Sequence, residues 1–227
     1  MQEPYFQDIR VREALCYALD KEALVKTASN NVGTLINGYA PSVMDGYIDM
    51  PPTQQDVEKA KQLLADAGYP DGFTIDLHVE SQAIYTRAAE VIQSMWAEIG
   101  VHANIVTSAL ATYDAQNDGK FQASIRDGTA TEISNVLIIY QSSFGSRMNG
   151  NDDWLDAKLM ELRTYYYGAP EREACLQEIM DYLYAKRYSF PYMVMPTIYG
   201  VSDKLEGFEF HPAEDHMINY TNWIVYE

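Results

Sequence analysis

Between Ser124 and Glu132 the chain reads Ser-Ile-Arg-Asp-Gly-Thr-Ala-Thr-Glu, which places Arg126, Asp127, Thr129, Thr131 and Glu132 within a few residues of one another. A guanidinium, two carboxylates and two hydroxyls in so short a span can hold a small solute. The segment follows a predicted strand from Phe121 and precedes a predicted helix from Thr131 to Tyr140. That is where α/β sheets present ligands, beyond their strand ends. A simple polar turn has the same composition, so its place in the fold must decide. Tyr39 and Tyr47, in a Gly- and Pro-rich stretch, offer flat apolar faces with polar tips for the same purpose.

No other residues arrange themselves for catalysis or metal binding. The sequence has no G-x-S-x-G elbow, no H-E-x-x-H pair and no phosphate-cradling loop. Carboxylates are abundant, but no pair is singled out as an acid and base, and a solvated acidic face is the default. His211 and His216 flank Pro212, which breaks helicity, and their spacing does not present two ligands from one helix face. They read as loop histidines. His78 and His102 fall on predicted strands as surface or edge residues. Cys16 and Cys175 lie far apart, each in a predicted helix, as small buried apolar side chains. No catalytic residue, metal or cofactor is therefore assigned, and the chain is read as a non-enzyme. The alternative, a carbohydrate-active or other hydrolytic domain, draws only on acidity and on 18 tyrosines against 7 phenylalanines.

The net charge of −17 argues against nucleic acid as a partner, because phosphate binding needs clustered Lys and Arg. No apolar run is long enough to span a membrane as a helix.

Hydrophobic spacing supplies the elements that must position the segment. Ile9, Ala14, Leu15, Ala18 and Leu19 form a helical face capped by Asp8, and Asp20 caps a second helix. A long Gly/Pro/Asn/Asp-rich loop is predicted from Asn30 to Thr53. The helix from Asp56 has Val57, Ala60, Leu63, Leu64 and Ala67 on one face and ends at Gly68, with Pro70 forbidding continuation. Phe73 to Val79 alternates as a strand, Ala83 to Ile99 is a helix, and Val101 to Val106 is a second strand. That order predicts a βαβ unit with a parallel pair. A short helix over Leu110 to Gly119, a polar loop over Gly145 to Asn151 and helices over 153–166 and 170–187 follow. The apolar, aromatic stretch from Phe190 to Ser202 reads as a strand region, and Asn222 to Tyr226 as a last strand.

Several of these stretches share their residue order with one family. The run from Asp8 to Val25 resembles D-x-R-V-R-x-A-L-x-x-A-[IL]-D-[KR]-x-x-[IL]-V, a signature of the extracytoplasmic solute-binding proteins of peptide and nickel ABC importers (family 5). Asp56 to Phe73 resembles the same family's K-A-K-x-L-L-x-E-A-G-Y-x-x-G-F block, with Asp66 where glutamate is usual. Ile92 to Val101 resembles its I-Q/I-G block, with Trp96 for leucine. In the family the first signature lies mid-chain, whereas here it begins at residue 8.

The resemblance implies a periplasmic-binding-protein-like α/β lobe, with a mixed, largely parallel sheet flanked by helices. Residues 1–227 are expected to be a single domain, the carboxy-terminal lobe of a two-lobed receptor, without its amino-terminal lobe and signal. It implies capture of a peptide or other small solute by closure with that missing lobe and delivery to a membrane ABC permease. The parent protein is expected to be extracytoplasmic, periplasmic or anchored as a cell-surface lipoprotein. The resemblance also implies that a carboxylate near Thr131 or Glu132 holds a ligand's amino group. The family's tryptophan there is replaced by Gly128.

Overall fold

The computed structural model describes residues 3–110, 121–126, 128, 132–142, 152–196, 198 and 200–207, with backbone alone at 209–210, 218–219 and 224–225. Several of the helix starts are set by aspartates whose side chains accept the otherwise orphaned first-turn N–H groups. After α1 (Pro4–Gln7), Asp8 caps α2 (Ile9–Tyr17) through the Arg10 N–H at 2.9 Å. Asp20 caps α3 (Lys21–Ala28) through Ala23, and Asp56 caps α4 (Val57–Asp66) through Lys59, each at 2.9 Å. Two residues beyond α4, Gly68 takes the left-handed φ of 92° that closes the helix as expected.

The expected βαβ unit follows as β2 (Phe73–Glu80), α5 (Ala83–Ala97) and β3 (Val101–Ser108); the short β1 (Thr34–Leu35) precedes it. With β4 (Ala123–Ile125) these form a parallel sheet in the order β3-β2-β4. Alternation along the strands sorts the two sheet faces. Ile75, Leu77, Val79, Val101, Ala103 and Ile125 are buried in a core with α2 to α5, including Leu15, Leu19, Leu24, Ile92 and Trp96. The other face carries Asp76, His78 and Glu80 from β2, Asn104 from β3 and Ser124 from β4, all partly or fully exposed.

A second core forms around α6 (Ile133–Leu137), the 3-10 turn Ile138–Tyr140, α7 (Asp153–Leu162) and α8 (Pro170–Lys186). Leu137, Leu155, Leu162, Leu176, Ile179 and Leu183 fill it, and the loop segment holding Tyr39, Ala40 and Met50 packs into it. Asp152 bridges its helices: Oδ1 caps α7, while Oδ2 accepts from the hydroxyls of Tyr182 (2.9 Å) and Tyr188 (2.8 Å).

Among its described residues, the stretch expected as a strand over Phe190–Ser202 contributes only β5 (Met193–Val194), antiparallel to β1. Pro191 and Pro196 flank it and cannot donate to a ladder, which keeps it short. Cα packing divides the chain into two compact units, Met1–Val194 and Met195–Glu227. In the second, β6 (Leu205–Glu206) pairs with β9 (Ile224–Val225) and β7 (Glu209–Phe210) with β8 (Ile218–Asn219), all antiparallel. The last strand expected at Asn222–Tyr226 corresponds to β9.

Candidate functional site

The end of β4 is held in register by β2, with His78 opposite Ser124 and Val79 opposite Ile125. Arg126 leaves the sheet immediately afterwards. Continued alternation past buried Ile125 carries its side chain to the polar sheet face, the side of Ser124 and His78. Its Nη1 is buried and has no hydrogen-bond partner among the described residues. On the same face, the His78 ring stacks on Phe121 at 4.0 Å and 7°, and its buried Nδ1 is likewise unpaired among the described residues. Burial holds the His78 imidazole below its ordinary value.

Glu132 has a different setting. It is the N-cap of α6: its Oε1 accepts from the Ser134 N–H at 3.1 Å, from the Ser134 hydroxyl and from Arg172 Nη2. Arg172 is buried at 6% exposure, also donates to Ser134 Oγ at 3.0 Å, and lies over the Tyr167 ring. The backbone of Glu132 forms a parallel bridge with Asp45. That bridge brings the Tyr47 loop beside Glu132, and the contact is close: a Cβ at Gly46 would lie 2.3 Å from Ile133 Cγ2.

Of the two tyrosines, Tyr47 is exposed and donates to Asp49 Oδ1 at 3.0 Å. Tyr39 is buried, with its ring edge-on to Tyr140, and burial raises its hydroxyl well above the ordinary value. The structure therefore sets Tyr47 on the loop beside Glu132, leaves Arg126 at the end of β4 and turns Tyr39 into the second core. Asp127, Thr129 and Thr131, like His211 and His216, lie outside the described residues. A separate polar depression of ≈ 330 Å³ is lined by Tyr17, Thr53, Asp56, Lys59 and Tyr184 among others, and by none of the sequence-predicted site residues. Among the described residues no group of His, Cys, Asp and Glu could hold a metal ion. Cys16 and Cys175 are buried free thiols.

Residues 1–150 match the family model described as Bacterial extracellular solute-binding proteins, family 5 Middle. The chain belongs to this family. It is 39% identical over 127 residues to heme-binding protein A of Haemophilus influenzae, covering 53% of this chain and 23% of that protein. To the dipeptide-binding protein of Escherichia coli it is 39% identical over 129 residues, covering 54% and 24% respectively. The solved structure of HbpA2 from Haemophilus parasuis superposes with a TM-score of 0.79 at 26% identity, covering 99% of this chain and 46% of that one. The fold is thus that of the periplasmic binding proteins. The chain spans about a quarter of the length of these curated relatives and under half of the solved one.

Membership gives the opening signature a structural explanation that its letters withheld. Its charged residues tie separate elements together through backbone carbonyls. Asp8 grips Arg10, whose Nη1 donates to Asp66 O at the end of α4 (2.5 Å). Arg12 donates to Lys186 O at the end of α8 (2.8 Å) and to Phe6 O (2.5 Å). Lys21 donates to Pro191 O at 2.8 Å and sits over the Phe190 ring. A guanidinium at a helix C-terminus satisfies orphaned carbonyls and meets the negative end of the helix dipole. Sequence reading took this run for a capped helix pair and missed these long-range partners; the charges on its buried side were the available signal.

Proposed function

We propose that this chain is the ligand-capturing lobe of an ABC importer's substrate-binding protein, taking up peptides or another small solute. The reading rests on one observation above others: a family match over residues 1–150 joined to near-complete coverage of this chain by under half of a periplasmic binding protein. A lobe of that kind closes with a second lobe over the solute by hinge motion, and the closed form docks on a membrane permease. On this reading the solute side of the lobe is the carboxyl end of the parallel sheet, lined by Arg126, Asp127, Thr129, Thr131 and Glu132 with help from Tyr47. The parent protein works outside the cytoplasm, in the periplasm or anchored at the cell surface as a lipoprotein. Its role is capture and handover, without turnover.

The test is reconstitution of the two-lobed receptor containing this chain with its permease in proteoliposomes, supplied with a di- and tripeptide library. The expected result is solute-dependent stimulation of ATP hydrolysis with the solute recovered unchanged. Hydrolysis of the solute by the purified receptor, or permease activity indifferent to receptor and solute alike, would overturn the proposal.

A further inference from the structure

Asn37 precedes Gly38 on the loop that leaves β1 and carries Tyr39 into the second core. Its Oδ1 is buried and accepts no hydrogen bond among the described residues. A buried acceptor left without a donor is costly, and native proteins keep few of them. Asn104, by contrast, is held through Nδ2 by Asp76 Oδ1 at 3.1 Å. The chain on the amino side of Asn37 is pinned, with the Ile36 N–H donating to Tyr192 O at 3.2 Å and the Ile36 carbonyl accepting from Lys21. The Gly38 N–H donates to no group among the described residues. Packing also requires glycine here: a Cβ on Gly38 would lie 2.7 Å from Ile48 O.

From this we infer that Asn37 and Gly38 form a self-modification site, at which the folded chain converts Asn37 to aspartate and isoaspartate. The Gly38 nitrogen attacks Asn37 Cγ and forms a new N–C bond, its proton passing to solvent. The Cγ–Nδ2 bond breaks, and Nδ2 takes up a proton and leaves as ammonia. Water then opens the cyclic imide at either of its carbonyls. Opening at Cγ gives aspartate; opening at the main-chain carbonyl of position 37 gives isoaspartate, whose main chain runs through Cβ and Cγ. Water is the only co-reactant. A successor without a side chain leaves the attacking nitrogen open, and an N–H and a side-chain carbonyl free of hydrogen bonds react without first breaking one. The two products act differently. Aspartate sets a carboxylate next in the chain to Ile36, beside the buried Lys21 ammonium, which among the described residues has only carbonyls and the Phe190 ring around it. Isoaspartate lengthens the main chain where Gly38 abuts Ile48 O and Tyr39 enters the core, and loosens that packing. None of this depends on the capture reading.

The experiment incubates the full chain at mildly alkaline pH, folded and in urea, and follows the peptide containing Asn37 by mass spectrometry. Fragmentation separates aspartate from isoaspartate, and the peptide map keeps Asn37 apart from Asn149, which also precedes a glycine. We expect the folded chain to convert Asn37 at no less than about a tenth of its rate in urea, because a single protecting hydrogen bond would slow it by roughly that factor. Asn37→Gln, whose longer side chain closes the ring far more slowly, should remove both products. If that variant fails to fold, the comparison of folded with urea-treated wild type still decides. Asn37→Asp should melt no lower than wild type, its carboxylate compensating Lys21, and a lower melting temperature overturns that pairing. Conversion confined to urea, with Asn37 intact in the folded chain, overturns the inference.

Discussion

Arg12 Nε donates to the Lys186 carbonyl at 2.8 Å, joining α2 to the last turn of a helix 174 residues further along the chain. Arg12 is 8% exposed, and its Nη1 also reaches Phe6 O (2.5 Å) and Gln7 O (3.2 Å). One side chain thus satisfies three carbonyls from two elements, and among the described residues no carboxylate balances it at hydrogen-bond distance. Burial accordingly lowers its pKa from the ordinary arginine value. Arg12→Ala leaves those carbonyls unsatisfied and opens space beneath Tyr188, so urea denaturation should show a loss of about 3 kcal/mol. Arg12→Lys should recover less than half, because an ammonium lacks the fork that serves separated acceptors.

Gly72 and Gly68 both have positive φ, at 71° and 92°, but only one is crowded. A Cβ on Gly72 would fall 1.9 Å from Gly100 O, whereas nothing lies within 4 Å of one on Gly68. Gly68→Ala should therefore cost only the left-handed penalty, about 1–2 kcal/mol. Gly72→Ala must also push apart the turns that enter β2 and β3, and should cost at least about 3 kcal/mol or prevent folding. Equal melting temperatures for the two variants would refute the steric account.

Much of this architecture was legible because its causes are local. Asp8 and Asp20 cap as read, Gly68 closes α4, and the alternation from Phe73 yields the central strand of a parallel sheet. Local patterns fail where the partner is remote. Nothing near Glu132 in sequence announces Arg172, and nothing near Arg12 announces Lys186. The Gly-Tyr-Ala-Pro motif marked Tyr39 as a flat face free for a solute, but its edge-on contact with Tyr140 places it in a core. Met193 and Val194 form a strand only because Thr34 and Leu35 lie alongside, and the flanking prolines stop it there.

Asp152 links acid stability to the packing of α7 on α8. Burial pushes its carboxyl up, but the Leu155 N–H and the Tyr188 and Tyr182 hydroxyls outweigh burial and hold it below its ordinary value. A carboxyl with a depressed folded-state pKa stabilises fully above its unfolded value and loses that stabilisation as pH falls through the folded one. The stability difference between wild type and Asp152→Asn should be flat above about pH 5 and shrink progressively below pH 4. Tyr182→Phe with Tyr188→Phe should reduce the same pH-dependent part, measured by urea unfolding across that range.

Lys21 gives the opposite limb. It is 9% exposed, held by the carbonyls of Pro191 (2.8 Å) and Ile36 (3.4 Å), and burial lowers its pKa from 10.5 to about 8. Between about pH 8 and 10.5 the unfolded chain carries the proton and the folded one does not. Stability attributable to Lys21 therefore rises with pH across that window and is lowest below it. Other groups titrate there too, so the measurement is the difference between wild type and Lys21→Met. Wild type should gain on the variant by up to about 3 kcal/mol from the lower to the upper limit. A constant difference would mean that its two carbonyls and the Phe190 ring compensate the charge in full.

The Glu132–Arg172 pair should respond asymmetrically to loss of either member, because its partners are unequally buried. Side-chain exposure is 8% for Arg172 and 24% for Glu132. Glu132→Gln strands a buried guanidinium that among the described residues keeps the Ser134 hydroxyl and the face of Tyr167, and should cost about 3 kcal/mol. Arg172→Met keeps the packed stem and leaves a carboxylate that water can reach, so about 1–2 kcal/mol is expected. The double variant should fall short of the sum by about 2 kcal/mol, since each single change already removes the shared contact. Additive losses in that cycle would mean that Glu132 is held chiefly by Ser134 and keeps its charge for other partners.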